Sequence, residues 1–295
     1  MQCRSVLTRI DARRTGELDP RESHQIEEHL ESCPSCEESV EDLEMFAGVV
    51  RSLRRDEPAE DCRLEVCDSV DSLEVEGETV WVGFTSRGMR MIDPRSRNLD
   101  EFREAYRGRF GRELRHGSLS AAQRKAIAVA VTGRGTTRCE VDLSSMTDFE
   151  REVLRILAEI PRGEVRPYSW LAAMAKRPGA VRAVGNVMAR NPLPFVLPCH
   201  RVVPSGGGVG NYAFGDRRKR ALLEAEGVET GKLDELARRG VRFVGSKTTG
   251  IFCFPTCRDA RRIREENRVE LHDAEEAHGK RFRACRHCMP LAIGA

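Results

Sequence analysis

The chain has 295 residues, 40% of them hydrophobic and 33% charged, with 49 Lys/Arg against 47 Asp/Glu and a formal net charge of +2. That length suits about two domains of the usual size of roughly 150 residues, and no apolar run is long enough for a transmembrane helix. The start Met1-Gln2-Cys3-Arg4 has no apolar signal region, so a cytoplasmic protein is expected, and eleven cysteines there point to metal or catalysis rather than disulfides.

The charge is unevenly spread. Residues 1–60 carry 8 Lys/Arg against 15 Asp/Glu, residues 161–240 carry 14 against 7, and residues 241–295 carry 11 against 7. An acidic head on a basic body suggests that the body meets a polyanion and the head does not. Ordinary solvated surface would also give such a balance.

In chain order, residues 1–57 are polar, acidic and helix-prone. Cys3 and the run His29-x3-Cys33-x2-Cys36 supply four groups of metal-ligand type, and His29 and Cys33, four apart, share a helical face. His24 is a rival ligand. A helix over Val40–Leu53 would offer a partner-binding surface. The alternative is a solvated acidic hairpin with incidental cysteines. Asp56–Asp61, interrupted by Pro58, reads as a linker.

Residues 62–145 change character. Val80–Phe84 is β-rich and runs into the turn signal Ser86-Arg87-Gly88, with Met89–Ile92 as a return strand. Leu99–Phe110 and Ala121–Val131 have the spacing of amphipathic helices. Cys62, Cys67 and Cys139 show no ligand spacing and read as core or surface thiols.

From residue 147 the helical signals sharpen. Thr147 and Asp148 can cap a helix that aligns Phe149, Val153, Ile156, Leu157 and Ile160, ended by Pro161-Arg162-Gly163. Ser169 can cap a short helix over Trp170–Ala175, and Pro178 suits the start of another running through Arg190. Helix, short helix, helix is a helix-turn-helix pattern, with Arg182 and Arg190 on its exposed side. Gly206-Gly207-Gly208 lacks the lysine and following helix of a phosphate loop and reads as a turn beside the active site.

The run Pro194-Phe195-Val196-Leu197-Pro198-Cys199-His200-Arg201 carries the chemistry. A thiolate is the reactive form of cysteine, and a neighbouring histidine or cation favours it. A lone Cys-His pair is more often structural, but the flanking blocks argue otherwise. Gly163-Glu164-Val165, Pro167-Tyr168, Ala180–Gly185, Asn191-Pro192, Pro198–Val203, Val209-Gly210-Asn211-Tyr212 and Leu222–Gly227 together resemble the active-site domain of the O6-alkylguanine-DNA alkyltransferases. The resemblance implies irreversible transfer of a methyl or alkyl group from O6-alkylguanine in DNA to Cys199, one turnover per molecule. It implies His200 as base, Glu226 as its orienter, Asn191 shaping the turn and the Tyr168 hydroxyl donating toward the departing base. Arg182 would fill the gap left by a flipped base, on a helix held in the minor groove. Contact would then be largely sequence-independent and salt-sensitive. Ala213 departs from the hydroxyl residue common in relatives, which leaves the range of alkyl groups open.

Near the end, Cys253-x3-Cys257 and Cys285-x2-Cys288 suit a tetrahedral four-cysteine zinc site, which a small segment with few apolar residues needs to fold. Phe243–Cys257 and Phe282–Pro290 are similar to the zinc domain of Ada-type proteins, in which the first ligand, matching Cys253, takes a methyl group from a methylphosphotriester. This segment departs from them in lying at the C-terminal side, with no AraC-type DNA-binding domain after it. It also resembles shorter, purely structural modules. The spacing of the N-terminal ligands is similar to that of the zinc-binding anti-sigma family.

The expected architecture is therefore multidomain, mixing α/β and small zinc modules. It comprises a helical zinc finger (1–57), an α/β alkyltransferase N-domain (62–145), a helical, winged-helix-like DNA-binding and active-site domain (146–230) and an Ada-like four-cysteine domain (233–295). The expected protein is a cytoplasmic, monomeric, zinc-binding DNA-repair methyltransferase acting on double-stranded DNA. The alternative is a transcription regulator or alkylation sensor whose N-terminal head binds a sigma factor. A binding-only relative without an acceptor is disfavoured by the presence of Cys199.

Overall fold

The computed structural model describes residues 3, 5, 6, 9, 18–37, 39–41, 67–135 and 139–290. The chain divides into two compact units, Met1–Glu65 and Val66–Ala295. Cys62, the expected linker at Asp56–Asp61 and most of the helix expected over Val40–Leu53 lie outside the described residues.

In the first unit, helix α1 (Pro20–Ser32) starts where the Asp19 carboxylate accepts from the backbone N–H groups of Arg21 and Glu22, and Pro20 sits where no amide hydrogen is needed. Ile26 is its buried residue.

The second unit opens with strands β1 (Cys67–Val75), β2 (Glu78–Thr85), β3 (Gly88–Asp93) and β4 (Glu113–His116), helix α2 (Leu99–Phe110) lying between β3 and β4. They form one sheet of order β3-β2-β1-β4 in which only β4 runs parallel to its neighbour. Alternate strand residues face opposite ways. Val70 and Met91 meet Phe102 and Tyr106 of α2, while Leu73, Val80 and Val82 meet Ile127 and Val131 of helix α3 (Ala121–Thr132). Gly83 is where the Tyr106 ring crosses the sheet: a Cβ there would sit 2.4 Å from the ring. The expected β2, β3, α2 and α3 are all present, but β1 and β4 were not expected. Two buried carboxylates explain why: in the polar-looking β1, Asp68 accepts from Arg90 at 2.7 Å and from the Tyr106 hydroxyl at 2.6 Å, and Arg90 also binds Asp142 at 2.9 Å.

Helix α4 (Asp148–Ala158) has the reciprocal cap expected at Thr147, completed by Glu150, and buries Val153, Leu154, Ile156 and Leu157. The next two helices start elsewhere than expected. Helix α5 (Tyr168–Met174) follows Pro167 without a side-chain cap, so Ser169 lies inside it. Ser169 Oγ instead accepts from Ser205 Oγ at 2.9 Å. Helix α6 (Val181–Ala189) begins three residues after Pro178, because Lys176 turns left-handed (φ 56°) and the Ala180 amide bonds Arg177 O. α4, α5 and α6 pack on one another, and a two-stranded parallel ladder, β5 (Arg166–Pro167) with β6 (Val202–Val203), ties the start of α5 to the residues after Cys199. Helices α7 (Asp216–Ala225) and α8 (Thr230–Arg238) follow. The glycine turn packs on α8: a Cβ on Gly207 would meet Ala237 and one on Gly208 would meet Asp234.

The last part is a sheet of order β10-β8-β7-β9, from β7 (Phe243–Ser246), β8 (Ile251–Cys253), β9 (Arg268–Leu271) and β10 (Arg283–Ala284), with helix α9 (Ala274–Gly279) before β10. Its Phe243, Phe252 and Phe254 join the same apolar core as α4, α5 and α6. No helix among the described residues is long and apolar enough to cross a membrane.

Candidate active site and metal centres

Cys199 opens a 3-10 turn, Cys199–Arg201, behind a tight loop closed by Leu197 N to Leu193 O at 2.8 Å. Phe195 in that loop has φ 74°, a conformation that costs a non-glycine residue energy and is held by its surroundings. Asn191 is the main brace. Its Oδ1 accepts from Leu193 N at 3.0 Å, and its Nδ2 donates to Leu197 O at 2.8 Å and to Cys199 Sγ at 3.2 Å. The thiol is 6% exposed and lies 3.9 Å from the Tyr212 hydroxyl. Burial pushes the Cys199 thiol up, against hydrogen bonds from Asn191 and Tyr212 that favour the thiolate.

His200 makes no hydrogen bond to the sulfur. Its Nε2 meets Glu226 Oε1 at 2.9 Å, and its Nδ1 is buried with no hydrogen-bond partner. Burial lowers the pKa of His200 despite the carboxylate beside it. Glu226 also receives Arg201, at 2.8 Å to Oε1 and 2.9 Å to Oε2, and the Gly163 amide at 3.2 Å. Burial alone would raise the Glu226 carboxyl, but hydrogen bonds from His200 and then Arg201 hold it down at about 2. Lys219 is 1% exposed and donates to Val202 O at 2.7 Å and Asn211 O at 3.3 Å. Burial brings its ammonium down to about 8, while its charge favours the Cys199 thiolate.

Tyr168, at the first position of α5, is half-buried; burial raises its phenol, and the proximity of Cys199 adds to the rise. Arg182 is exposed on α6 and Arg190 is exposed at its end, where Arg190 O accepts from the Arg109 guanidinium. The sheet braces the same region. Ile92 N donates to Pro192 O at 2.8 Å, and the Arg95 guanidinium lies 5.0 Å over the Phe214 ring, which packs on Tyr212.

Two sets of four ligand atoms converge. The sulfurs of Cys253, Cys257, Cys285 and Cys288 lie within 4.8 Å of one another, and all four residues are buried. The Cys253 thiol donates to Cys257, which drives the first up and holds the second down. Four buried thiols at this spacing fit a tetrahedral thiolate site for zinc. In the first unit, Cys3, His29, Cys33 and Cys36 also come within 4.8 Å. The buried His29 Nε2 has no hydrogen-bond partner, as a ligand atom awaiting a metal would. His24 is not in this group; it is exposed and lies 3.5 Å from Glu28.

Sequence comparison sets these features in a family. The DNA-binding domain of 6-O-methylguanine DNA methyltransferase matches residues 148–228, the metal-binding domain of Ada matches 234–290, and a zinc-finger model matches 3–36. The methylated-DNA–protein-cysteine methyltransferase of Homo sapiens is 51% identical over 85 residues, 28% of this chain and 41% of that protein. The one from Methanothermobacter thermautotrophicus is 43% identical over 88 residues, 30% of this chain and 49% of that protein. The crystal structure of the O6-methylguanine-DNA methyltransferase from Pyrococcus kodakaraensis is 32% identical and is covered over 99% of its length by 55% of this chain, with a TM-score of 0.43.

Residues 148–228 are thus similar to the DNA-binding domain of the 6-O-methylguanine DNA methyltransferases, and residues 234–290 to the metal-binding domain of Ada. The chain spans about half the length or less of the curated relatives named above.

The structure brings Cys199 beside Asn191 and His200 beside Glu226. Sequence reasoning missed Arg201, Lys219 and Gly163 as partners of this group. Gly163 was read there only as part of a helix stop and a family block. The available signal for Lys219 was its spacing three and four residues before Leu222 and Leu223, the buried positions of α7.

Proposed function

We propose that the protein repairs DNA by moving a methyl or alkyl group from O6-alkylguanine to Cys199, once per molecule. The observation that carries this is the Asn191 amide 3.2 Å from a buried sulfur, beside a His200–Glu226 pair 2.9 Å apart. His200 takes the thiol proton at Nδ1. The ring does not touch the sulfur, so one water carries the proton between them. The freed electron pair on Sγ attacks the alkyl carbon in line. The C–S bond forms as the C–O bond breaks, and the guanine O6 keeps the bonding electrons. The departing base takes the proton that His200 received, relayed by water, with Tyr168 donating a hydrogen bond to it. Asn191 and Lys219 stabilise the thiolate, and Glu226 with Arg201 fixes the imidazole tautomer. The thioether is a poor leaving group, so the protein is consumed.

The domain name of the matched segment supports DNA as the partner. Arg182 on exposed α6 would support the flipped base's vacancy, and Arg190 would contact the backbone. All of these groups lie in one chain, which suits a monomer. We read the protein as cytoplasmic. We read the chain as four parts, 1–57, 62–145, 146–230 and 233–295.

Both ligand sets are read as zinc sites. When bound, zinc would keep the thiolates ionised and cross-link small modules. Cys253 is one of four buried sulfurs that converge, and we read it as a structural metal ligand rather than a second methyl acceptor. The N-terminal unit, read as anti-sigma-like, would take a sigma factor as partner.

The deciding test is peptide mass spectrometry after incubation with duplex DNA carrying O6-methylguanine. One methyl gained on the Cys199 peptide is the expected result. No gain from folded, metal-loaded protein would sink the reading.

A further inference from the structure

The two cysteine-bearing loops of the C-terminal module do not stand apart from the alkyl-transfer site. They grip the buried segment Gly163–Pro167 that leads into Tyr168. Thr256, between the ligands Cys253 and Cys257, accepts the Val165 amide on its hydroxyl at 2.9 Å. The Arg258 amide, one residue past Cys257, donates to Glu164 Oε1 at 3.0 Å. The Trp170 indole N–H donates to the carbonyl of Cys288 itself at 3.0 Å. Between these bonds the Arg166 guanidinium lies 5.6 Å from the Trp170 ring and 5.3 Å from the Phe254 ring, and pairs with Glu164.

The same segment touches the reactive group at three places. Its first residue gives the Gly163 amide to Glu226, which holds His200. Arg166 and Pro167 pair with Val202 and Val203, directly after the Cys199 turn. Its end sets the position of Tyr168 at the head of α5. A buried segment with few bonds of its own takes its order from what it is packed against.

We infer that the C-terminal metal module is a working part of the alkyl-transfer site: Thr256 and the Cys288 carbonyl, held by their ligand loops, position the Gly163–Tyr168 segment, so that metal loading sets the reactivity of Cys199. Thr256, Trp170 and Arg166 are positioning residues, since none touches Sγ. This rests on the alkyl-transfer reading of Cys199 and on a metal in the four-cysteine site, and it explains why a module with no open sulfur is built into the same core.

The test uses the full chain and two readouts. Hydrogen exchange of the peptide covering 163–168 is followed without DNA, before and after metal removal by a chelator. Methylation of Cys199 by duplex DNA is followed in single turnover. The variant T256V/W170F leaves all eight metal-ligand residues in place. It should keep the metal content of the wild type, speed exchange at 163–168 by about tenfold, and slow methylation by about tenfold, the scale at which a small misplacement of reacting groups costs rate. T256S with Trp170 intact, which keeps the hydroxyl, should match the wild type in both. Unchanged exchange at 163–168 after metal removal would overturn the inference. So would faster exchange with an unchanged methylation rate. If the wild type takes no methyl at all, the alkyl-transfer reading fails, and the exchange measurement still decides whether the module orders the segment.

Discussion

Glu226 binds the His200 ring at Nε2, 2.9 Å away, and leaves the ring's other nitrogen buried and unpartnered. A neutral imidazole whose Nε2–H is donated to a carboxylate must present Nδ1 as a bare acceptor. Nothing else among the described residues claims that lone pair, so it is free to take a proton from the Cys199 side.

That arrangement predicts the effect of E226Q. The amide would no longer fix the tautomer, and Arg201 would lose its buried counter-charge. Single-turnover methylation should fall by about a hundredfold, the usual scale for losing general-base help. Because Arg201 is largely buried and left unpaired, unfolding stability should fall by about 3 kcal/mol, read by urea titration. A rate unchanged within a factor of two would remove Glu226 from the mechanism.

The pH profile follows from two shifted groups. Burial lowers His200, so the base stays neutral below its ordinary pKa of 6.5, and activity should persist on the acid side of that value. Lys219 titrates at about 8 in the folded chain. Above that pH its charge is lost, and with it one of the influences favouring the thiolate. The methylation rate of wild type should therefore flatten or decline above pH about 8, although a lone buried thiol would keep gaining. K219M should abolish this break and lower the rate on its acid side. A wild-type profile that rises steadily to pH 10 would refute the role of Lys219.

Acid stability carries a separate sign. The Glu226 carboxyl sits at about 2 in the folded state against an ordinary 4.5. A lowered folded value means stability that is fully present above pH 4.5 and is lost as pH falls from there toward 2. The loss is on the order of 3 kcal/mol. In E226Q this part of the acid transition should vanish, as judged by unfolding midpoints between pH 5 and 2.

Much of this was legible in sequence where local chemistry decides. The cap at Thr147 fixes α4, the spacing of apolar residues fixes α2 and α3, and the residues of ligand type marked by spacing converge in two sets. Long-range pairing decided the rest. β1 is written with Asp68, Asp71, Ser69 and Ser72, residues poor in strands; Asp68 turns into an ion-pair network, and Asp71 accepts the Leu119 amide at 2.8 Å. α6 starts late because of a left-handed Lys176, which no spacing rule marks. Lys219 and Arg201 become buried partners only through contacts with segments far along the chain.

Gly163 offers the sharpest local test of that long-range fit. Its φ is +76°, and an added Cβ would lie 2.7 Å from the backbone oxygen of Glu226. Backbone cannot move aside as a side-chain tip can, so G163A meets both a conformational penalty and a clash. Gly227, one residue past Glu226, has φ +87° but nothing within 4 Å of the same position. G227A therefore carries the conformational penalty alone. We expect G227A to cost about 1 kcal/mol and G163A about 3 kcal/mol or more in urea unfolding. G163A should also slow Cys199 methylation, since the displaced segment carries the amide that Glu226 accepts and the start of α5. Equal costs for the two variants would show that the Gly163–Glu226 contact is looser than the geometry indicates.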